Sequence, residues 1–318
     1  MDNLQGSLSA LNKTRQQAET GRRFSQSYED PVASSKAVVL ETRYARNLDY
    51  QATIEQTNDW QASQEGVISQ LSKQLSEISD KVGKEALNGV NGDQRESYAK
   101  TMREMQKTMV FTLNAKFGDT HVAAGNDGAN PPFAIDDDGD ITYRNLKLND
   151  PANQAELEKL AQETAYVDVG IGIKFEAGEV VSSSAFDTAM PGIGITGYKI
   201  DADGYSENAL VLVGELAEQL ESGSFDRDEY EKILGKLSTS VDKVKDSFTE
   251  IGTKTQFLDA TLENLKAEEV NIIEQFDTTV NIDEAKALMN YSYAQYVHSL
   301  SLKMGTNILT PSLLDFVR

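Results

Sequence analysis

The sequence predicts a mainly α-helical protein whose N- and C-terminal segments form a long coiled-coil rod, with a β-rich domain inserted between them. The C-terminal third carries an apolar seam with alternating spacings of four and three residues. The part before about residue 117 shows helical periodicity of the same kind. Glycine, proline and short β-like runs are concentrated between about residues 118 and 205.

The first predicted helix carries Leu4, Leu8 and Leu11, whose spacings of four and three place them on one helix face. Asp30 is a favourable N-cap residue, and Pro31 suits the first position of the helix that follows. The chain is therefore expected to stop one helix and begin another at about residue 30.

Two further helices are predicted before the middle segment. A long polar helix covers about residues 41 to 82, and its apolar seam is clearest at Val67, Leu71, Leu75, Ile78 and Val82. The next helix has its apolar positions at Tyr98, Met102, Met105, Met109, Leu113 and Phe117. The methionines in this stripe are interpreted as core residues, because methionine fills irregular gaps between helices.

The middle segment predicts short strands separated by turns. Runs such as "PPFAI", "DITYRNLKL" and "YVDVGIGIKF" alternate with turn residues. "DDDGD" and "DADG" resemble calcium loops, but neither places glycine at position six of an EF-hand frame, so both are interpreted as hairpin turns. "GIGITG" matches a dinucleotide-binding string, but β-like sequence follows it where that motif requires a helix. It is interpreted as a glycine-rich β segment.

The strongest helical pattern follows the middle segment. Apolar residues recur at spacings of four and three from Tyr230 to Phe276. The predicted helix, from Asp226 to Phe276, would be roughly 75 Å long at about 1.5 Å per residue. A heptad seam needs a partner, and the N-terminal helices of the same chain are the expected partners. Asp283 can cap a final helix. The predicted apolar stripe of that helix consists of Ala285, Met289, Tyr293, Tyr296, Leu300, Met304 and Ile308.

Composition excludes several classes of function. The 318 residues include 51 acidic and 30 basic ones, a net charge of −21, which opposes binding to nucleic acid or to anionic membranes. With no cysteine, disulfides, thiolate metal sites and cysteine nucleophiles are excluded. With only two histidines, His121 and His298, the chain offers few ligands for a zinc site. No apolar run is long enough to span a membrane. No catalytic residue, metal ligand or cofactor site is predicted, so we expect a protein that is not an enzyme.

Four short stretches of the chain are similar, in the same order, to the signature motifs of one protein family. "TGRRFSQSYEDPVASSKAV" is similar to that family's "S-G-(K/R)-x-I…D-D-P-V-A-A" signature, and "ALNGVNGDQRESYA" to its "A-N-G-T…R…A". "AGNDGANPPFAIDDDGDITY" resembles its "F-A-G-T…P-P-F" stretch, and "SLLDFVR" resembles its "S-L-x-D-(F/Y)-L" ending. The order and spacing of these stretches along nearly the whole chain carry the resemblance. The chain thereby resembles the flagellar hook-associated protein 3 family of the flagellin superfamily.

The resemblance implies a structural subunit at the junction between hook and filament of the bacterial flagellum. Its expected partners are hook-associated protein 1, flagellin, copies of itself in a ring and a cytoplasmic export chaperone. The expected route is flagellar type III export, and no secretory signal peptide is visible. The family normally carries "M-R-(I/V)" and roughly ten or more residues ahead of the part seen here, so the first helix is expected to be incomplete.

Three domains are expected. Residues 1–29 and 281–318 would form a terminal assembly domain, residues 30–117 and 206–280 the helical rod, and residues 118–205 the outer β-rich domain. The predicted assembly interface consists of apolar residues with too little of their own chain to cover them: Leu4, Leu8, Leu11, Leu300, Ile308, Leu313, Leu314 and Phe316. Asp30, Pro31 and Asp283 are predicted to form a joint between the assembly domain and the rod.

Three alternatives remain open at this point. The chain could be flagellin itself, although its "DPVA" string and its C-terminal ending favour the junction family. It could be a secreted enzyme housed in the inserted domain, which would need a catalytic or metal constellation that is not visible there. It could also be an unrelated coiled-coil adhesin, which would not need both chain ends for its function.

Overall fold

The computed structural model describes residues 2–88 and 92–314, with side chains over residues 3–88 and 92–305. Helices dominate the described residues, as predicted. Their bounds are α1 (Asp2–Thr20), α2 (Pro31–Glu77), α3 (Gly83–Leu87), α4 (Gly92–Leu113), α5 (Gln154–Ala161), α6 (Gly192–Thr196), α7 (Ala209–Glu221), α8 (Arg227–Val280) and α9 (Glu284–Leu314). A π-helical turn, Ile78–Val82, links α2 to α3, and 3₁₀ turns occupy Pro151–Asn153 and Ser182–Ser184.

The strands are short, and every strand pair within residues 2–88 and 92–314 is antiparallel. β1 (Lys116–Phe117) pairs with β2 (Thr120–His121), and β6 (Tyr166–Val167) pairs with β9 (Phe186–Asp187). β7 (Phe175–Glu176) and β8 (Glu179–Val180) form a hairpin. A three-stranded sheet has the order β3 (Phe133–Ile135), β4 (Ile141–Tyr143), β5 (Leu146–Lys147). The fold is therefore mainly α with a β-containing part, which confirms the predicted class.

The internal contacts divide the chain into two compact units. Unit 1 comprises residues 1–49 and 264–318, and unit 2 comprises residues 50–263. Helices α2 and α8 contribute residues to both. The predicted division into three domains stays a prediction, because it draws its boundaries at other positions.

In unit 1, α1 packs on α9 in antiparallel orientation. Ser7 Oγ lies 3.1 Å from Nδ1 of His298. Beyond the C-terminal end of α1, the backbones of Arg22 and Asn281 form an antiparallel β-bridge. The α9 residues that this contact buries most fully are small: Ala287 and Ala294, seven positions apart, are both buried, while the larger Tyr291 and His298 are half-buried. Small side chains let the two helix backbones approach closely.

The remaining helical pair of unit 1 joins the start of α2 to the end of α8. Asn47 donates to the carbonyl oxygen of Leu265 at 3.0 Å, and Arg43 forms an ion pair with Glu268 at 3.1 Å. Because α2 numbers rise as α8 numbers fall, the two helices are antiparallel. The expected pairing of the C-terminal heptad helix with N-terminal helices of the same chain is thus confirmed here.

In unit 2, the heptad seam of α8 is buried at intervals of seven. Leu237, Val244, Ile251 and Leu258 are all at most 6 % exposed. The facing residues of α2 are partly polar, and Gln61 and Gln64 are each only 1 % exposed. Apolar periodicity could not reveal this part of the seam, so α2 is clearly recognisable in the sequence only from Val67 onward.

The π-helical turn follows the last residue of α2. The backbone of Gly83, just after this turn, is met by Tyr230 of α8, whose hydroxyl donates to the Gly83 carbonyl oxygen at 3.2 Å. A Cβ at Gly83 would lie 2.6 Å from a methyl carbon of Leu234. The π turn therefore lies next to a point where α8 packs closely on the backbone of Gly83.

Helix α7 was not identified from the sequence as a separate element. Nine of its thirteen residues are buried, and it packs along α4. Asn208 caps it by accepting from the backbone N–H groups of Leu210 and Val211 at 2.9 and 3.2 Å. Gln106 of α4 donates to the Leu210 carbonyl oxygen at 2.8 Å. The first five residues of α7, Ala209 to Val213, are all apolar and buried, so apolar spacing does not distinguish a buried face from an exposed one there.

The interpretation of "GIGITG" as a β segment was wrong. These residues form the short helix α6, which begins after Pro191 and ends at Gly197 with a positive φ of 94°. A Cβ at Gly192 would lie 2.7 Å from the ring of Phe133, so glycine there permits close packing. A single helical turn with no following β-α unit is no dinucleotide site.

Candidate assembly surface

Helix α9 carries a long uncharged run. No aspartate, glutamate, lysine or arginine occurs between Lys286 and Lys303, in a chain of which a quarter of the residues are charged. An uncharged helix face can leave water without burying an ion, which is the main electrostatic cost of association.

The large apolar side chains of this run are exposed in the structure. They follow one helix face at spacings of four and three, and we call them the α9 stripe: Met289 (68 % exposed), Tyr293 (70 %), Tyr296 (61 %), Leu300 (40 %) and Met304 (69 %). Since α9 buries Ala287 and Ala294 against α1, the large side chains of the stripe remain uncovered. A contiguous exposed apolar patch of this kind marks an interaction surface.

The predicted interface residues divide into three groups. Leu4, Leu8 and Leu300 are exposed, by 40, 46 and 40 % respectively. Leu11 is half-buried on the same helix as Leu4 and Leu8. The side chains of Ile308, Leu313, Leu314 and Phe316 lie outside the described residues. The role of all eight in assembly stays a prediction.

Sequence reasoning placed Met289, Tyr293, Tyr296 and Met304 on the apolar side of the final helix but did not name them as interface residues. The signal that identifies them is the combination of helical spacing with the absence of charge from Lys286 to Lys303. The buried face of α9 is made of alanine, which sequence periodicity scores weakly.

The predicted joint residues lie at two helix breaks, one between α1 and α2 and one between α8 and α9, which are adjacent in unit 1. Asp30 accepts from the Ala33 N–H at 3.0 Å, and Asp283 accepts from the Lys286 N–H at 2.8 Å, so both cap the helices that follow them. Pro31 is the first residue of α2. Their function as a joint stays a prediction.

Backbone hydrogen bonds hold the two breaks together. Arg23 N–H donates to the Val280 carbonyl oxygen at 2.7 Å, and Ile282 N–H donates to the Gly21 carbonyl oxygen at 2.9 Å. Gly21 has a φ of 67°, which allows α1 to end in a left-handed turn. The breaks thus share a short antiparallel bridge.

Charge is distributed unequally between the two units. Residues 1–49 and 264–318 contain 13 acidic and 11 basic residues, whereas residues 50–263 contain 38 acidic and 19 basic ones. Unit 1 is therefore nearly neutral and unit 2 carries almost the whole net negative charge. Copies of unit 1 can approach one another with little repulsion, and unit 2 favours solubility.

The acidic turns of the middle segment already have cationic partners. Asp136, Asp138 and Asp140 form an acidic trio in which Lys147 Nζ lies 2.8 to 3.0 Å from each carboxylate. The same lysine holds the pKa of Asp136 below its usual value. Asp136 also accepts backbone N–H groups of the β3–β4 turn, which agrees with the predicted hairpin.

A polar cavity of about 400 Å³ lies beside α7 in unit 2. Its lining includes Arg103 and the carboxylates of Glu215, Glu218 and Glu221. Burial, followed by the charges of Glu218 and Glu229, raises the pKa of Glu215 to about 7. Arg103 contacts Glu221 at 3.4 Å. The cavity therefore combines one protonatable carboxylate with an ion pair.

The two histidines lie in separate contexts. His121 is buried in the β1–β2 hairpin, with Nδ1 2.8 Å from the Asn114 carbonyl oxygen. His298 lies beside Ser7 in the α1–α9 contact. Within the described parts of the chain, no helix is both long and apolar enough to cross a membrane.

No protein-family model and no curated protein matches the sequence, but solved structures match the fold. A chain described as a flagellar hook-associated protein of Vibrio parahaemolyticus is 17 % identical, with a TM-score of 0.62 over 80 % of this chain and 100 % of that one. Hook-associated protein 3 of Legionella pneumophila is 9 % identical, with a TM-score of 0.59 over 76 % and 98 % of the two chains. FlgL of Bacillus cereus is 15 % identical, with a TM-score of 0.54 over 75 % and 99 %.

Proposed function

We propose that this chain, which shares its fold with solved hook-associated protein structures, is a structural subunit of the flagellar hook–filament junction. The observation that carries the proposal is the α9 stripe, exposed on a nearly neutral unit formed by both chain ends. The fold likeness and the sequence motifs support the same role. The proposed subunit is neither an enzyme nor a cofactor-binding protein.

Assembly follows from the exposed stripe. A copy that folds outside the cell presents Tyr293 and Tyr296 to solvent, and burial against a neighbouring subunit removes that apolar area from water. The proposed neighbours are further copies in a ring, hook-associated protein 1 on the hook side and flagellin on the filament side. An export chaperone would cover the ends of the chain before export.

The absence of cysteine and the acidic unit 2 support passage through a narrow export channel. A chain without thiols cannot become cross-linked on the way, and a strong net charge disfavours aggregation of the unfolded state. The proposed three-domain layout assigns residues 118–205 to the outer surface, residues 30–117 and 206–280 to the rod, and residues 1–29 and 281–318 to assembly.

Deletion of the gene in the source organism tests the junction role. Cells that keep their hooks, lose their filaments and release flagellin monomers into the medium would support it, and re-expression of the full chain should restore the filaments. Normal filaments in the deletion strain would refute it. Purified protein provides the second discriminator, because flagellin would polymerise alone into long filaments and a junction subunit would not.

A further inference from the structure

A second apolar feature lies in unit 1, in a groove between α2 and α8. Its volume is about 250 Å³, and we call it the α2–α8 groove, lined by Leu40, Glu41, Tyr44, Ile272, Ile273 and Phe276. Leu40 and Ile272 form its buried floor at 2 % exposure each, while Ile273 is 49 % exposed at its side. Every lining side chain except that of Glu41 is apolar or aromatic.

We infer that the α2–α8 groove receives a tyrosine of the α9 stripe from a second copy of this chain. The inference rests on the proposed function, since it names the surface that the stripe meets. Tyr293 and Tyr296 are the candidates, because they are the stripe's two aromatic side chains and are 70 and 61 % exposed.

Size and polarity favour a tyrosine. A closed cavity of ~150 Å³ lined by aliphatic and aromatic side chains accepts benzene, so a groove of about 250 Å³ has room for one aromatic ring. A tyrosine hydroxyl needs a hydrogen-bond partner when its ring is buried, and the carboxylate of Glu41 on the groove lining is an acceptor. A leucine or methionine would leave that carboxylate without a donor from the incoming side chain.

The scarcity of charge on both surfaces supports the match. Between Lys286 and Lys303, α9 has no aspartate, glutamate, lysine or arginine, so it brings none of these charged side chains into the groove. The groove lining contributes one carboxylate, that of Glu41. The unit that bears both surfaces is nearly neutral, so two copies meet without strong repulsion.

The connectivity of an axial assembly requires two different faces. The stripe and the groove are both open in one copy, so neither covers the other within the chain. Where the stripe of one copy occupies the groove of the next without the reverse contact, the interface is heterologous and leaves one free face at each end, so copies add on to give a ring or a helix. Contact of stripe with stripe would be isologous and would stop at a dimer.

Cysteine cross-linking in assembled flagella tests the inference, and the cysteine-free chain provides a clean background. Ile273→Cys and Tyr296→Cys are co-expressed as separate full-length chains in the deletion strain, and isolated hook–filament complexes are oxidised. A disulfide forms only where the two Cα atoms come within roughly 7 Å, so a linked dimer is expected from the mixture and from neither variant alone. Glu41→Cys with Tyr296→Cys, and Ile273→Cys with Tyr293→Cys, repeat the test at neighbouring positions.

Phe111→Cys with Tyr296→Cys is the matched control, because Phe111 is 81 % exposed in unit 2 and should give no dimer. Assembled complexes without a linked dimer in any groove pair would overturn the inference and leave the junction role intact. A dimer from Tyr296→Cys alone would indicate stripe-on-stripe contact and would also overturn it. Failure of the junction role itself would appear separately, as normal filaments in the deletion strain.

Discussion

Replacement of Tyr293 and Tyr296 by serine removes the two aromatic rings of the α9 stripe. A tyrosine side chain presents on the order of 200 Å², and the two rings are 70 and 61 % exposed. About 140 and 120 Å² are therefore available for burial, worth about 3 kcal/mol for each ring at ~25 cal/mol per Å². This value is an upper bound for each ring. If each ring contributes half of it, about 1.5 kcal/mol, loss of both rings weakens association on the order of 100-fold, since each 1.4 kcal/mol is about tenfold in Kd.

The assay is complementation of the deletion strain with the double variant. Because both rings face solvent in the free chain, the variant should be secreted, fold with the same circular dichroism spectrum and melt within about 2 °C of the unaltered protein. Filaments per cell should nevertheless fall sharply. Ala294→Leu is the contrasting variant, since it places a large side chain in the buried α1–α9 contact and should lower the melting temperature of unit 1. Full restoration of filaments by the double tyrosine variant would refute the reasoning.

Three further predictions concern stability. Gly21→Ala should lower the free energy of unfolding by about 1 kcal/mol, because the φ of Gly21 is 67° and alanine is strained in that conformation. Gly6→Ala, inside α1 with open space around it, should raise the free energy of unfolding by about 0.5–1 kcal/mol. Equal effects of the two variants in urea unfolding would contradict a role for the left-handed turn at Gly21. Gln61→Met should raise the free energy of unfolding by about 1 kcal/mol, because the buried Gln61 Oε1 has no hydrogen-bond partner among the described residues. Gln64→Met should lower it by about 1 kcal/mol, because the variant loses the 3.0 Å hydrogen bond from Gln64 to the Thr188 carbonyl oxygen. The reverse order of stabilities would disprove this account of the seam. The pKa of Glu215 is about 7 in the folded chain against a usual 4.5, so between these pH values the folded chain holds a proton that the unfolded chain releases. The free energy of unfolding should therefore decrease as pH rises across that interval. Glu215→Gln should flatten this pH dependence, and an unchanged pH dependence would exclude Glu215 as its source.

The helical part of the fold could be predicted because its seams are apolar. The spacing along α8 predicted a heptad helix, and the structure buries that helix at intervals of seven, as at Leu237, Val244 and Ile251. The polar part of the α2 seam at Gln61 and Gln64 gave no such signal, because glutamine at a buried position looks the same in sequence as glutamine on a surface.

The β-containing part was predicted in kind and not in detail. Turn residues marked the hairpins correctly, as at Asp136, but the strands between them are only two or three residues long. Glycines with positive φ, such as Gly170 and Gly172, interrupt the run that sequence patterning extends. Helices α5 and α6 were missed there because a helix of eight residues or fewer offers too few turns to show a period.

Of the two candidate surfaces, only the α9 stripe could be located from the sequence. The spacing of apolar residues located the stripe of the final helix, and the structure adds which side of α9 is free, since Ala287 and Ala294 occupy the contact with α1. The α2–α8 groove could not be predicted, because it combines residues from two helices that are far apart along the chain.

The position of the protein along the flagellum tests the central claim most directly. An epitope tag inserted at the exposed β7–β8 turn, which contains Ala177 and Gly178, can be located by immunogold electron microscopy on intact flagella. The proposed role predicts label confined to a narrow band at the boundary between hook and filament. Label along the whole filament, or flagella without any label in a strain that secretes the tagged chain, would contradict it.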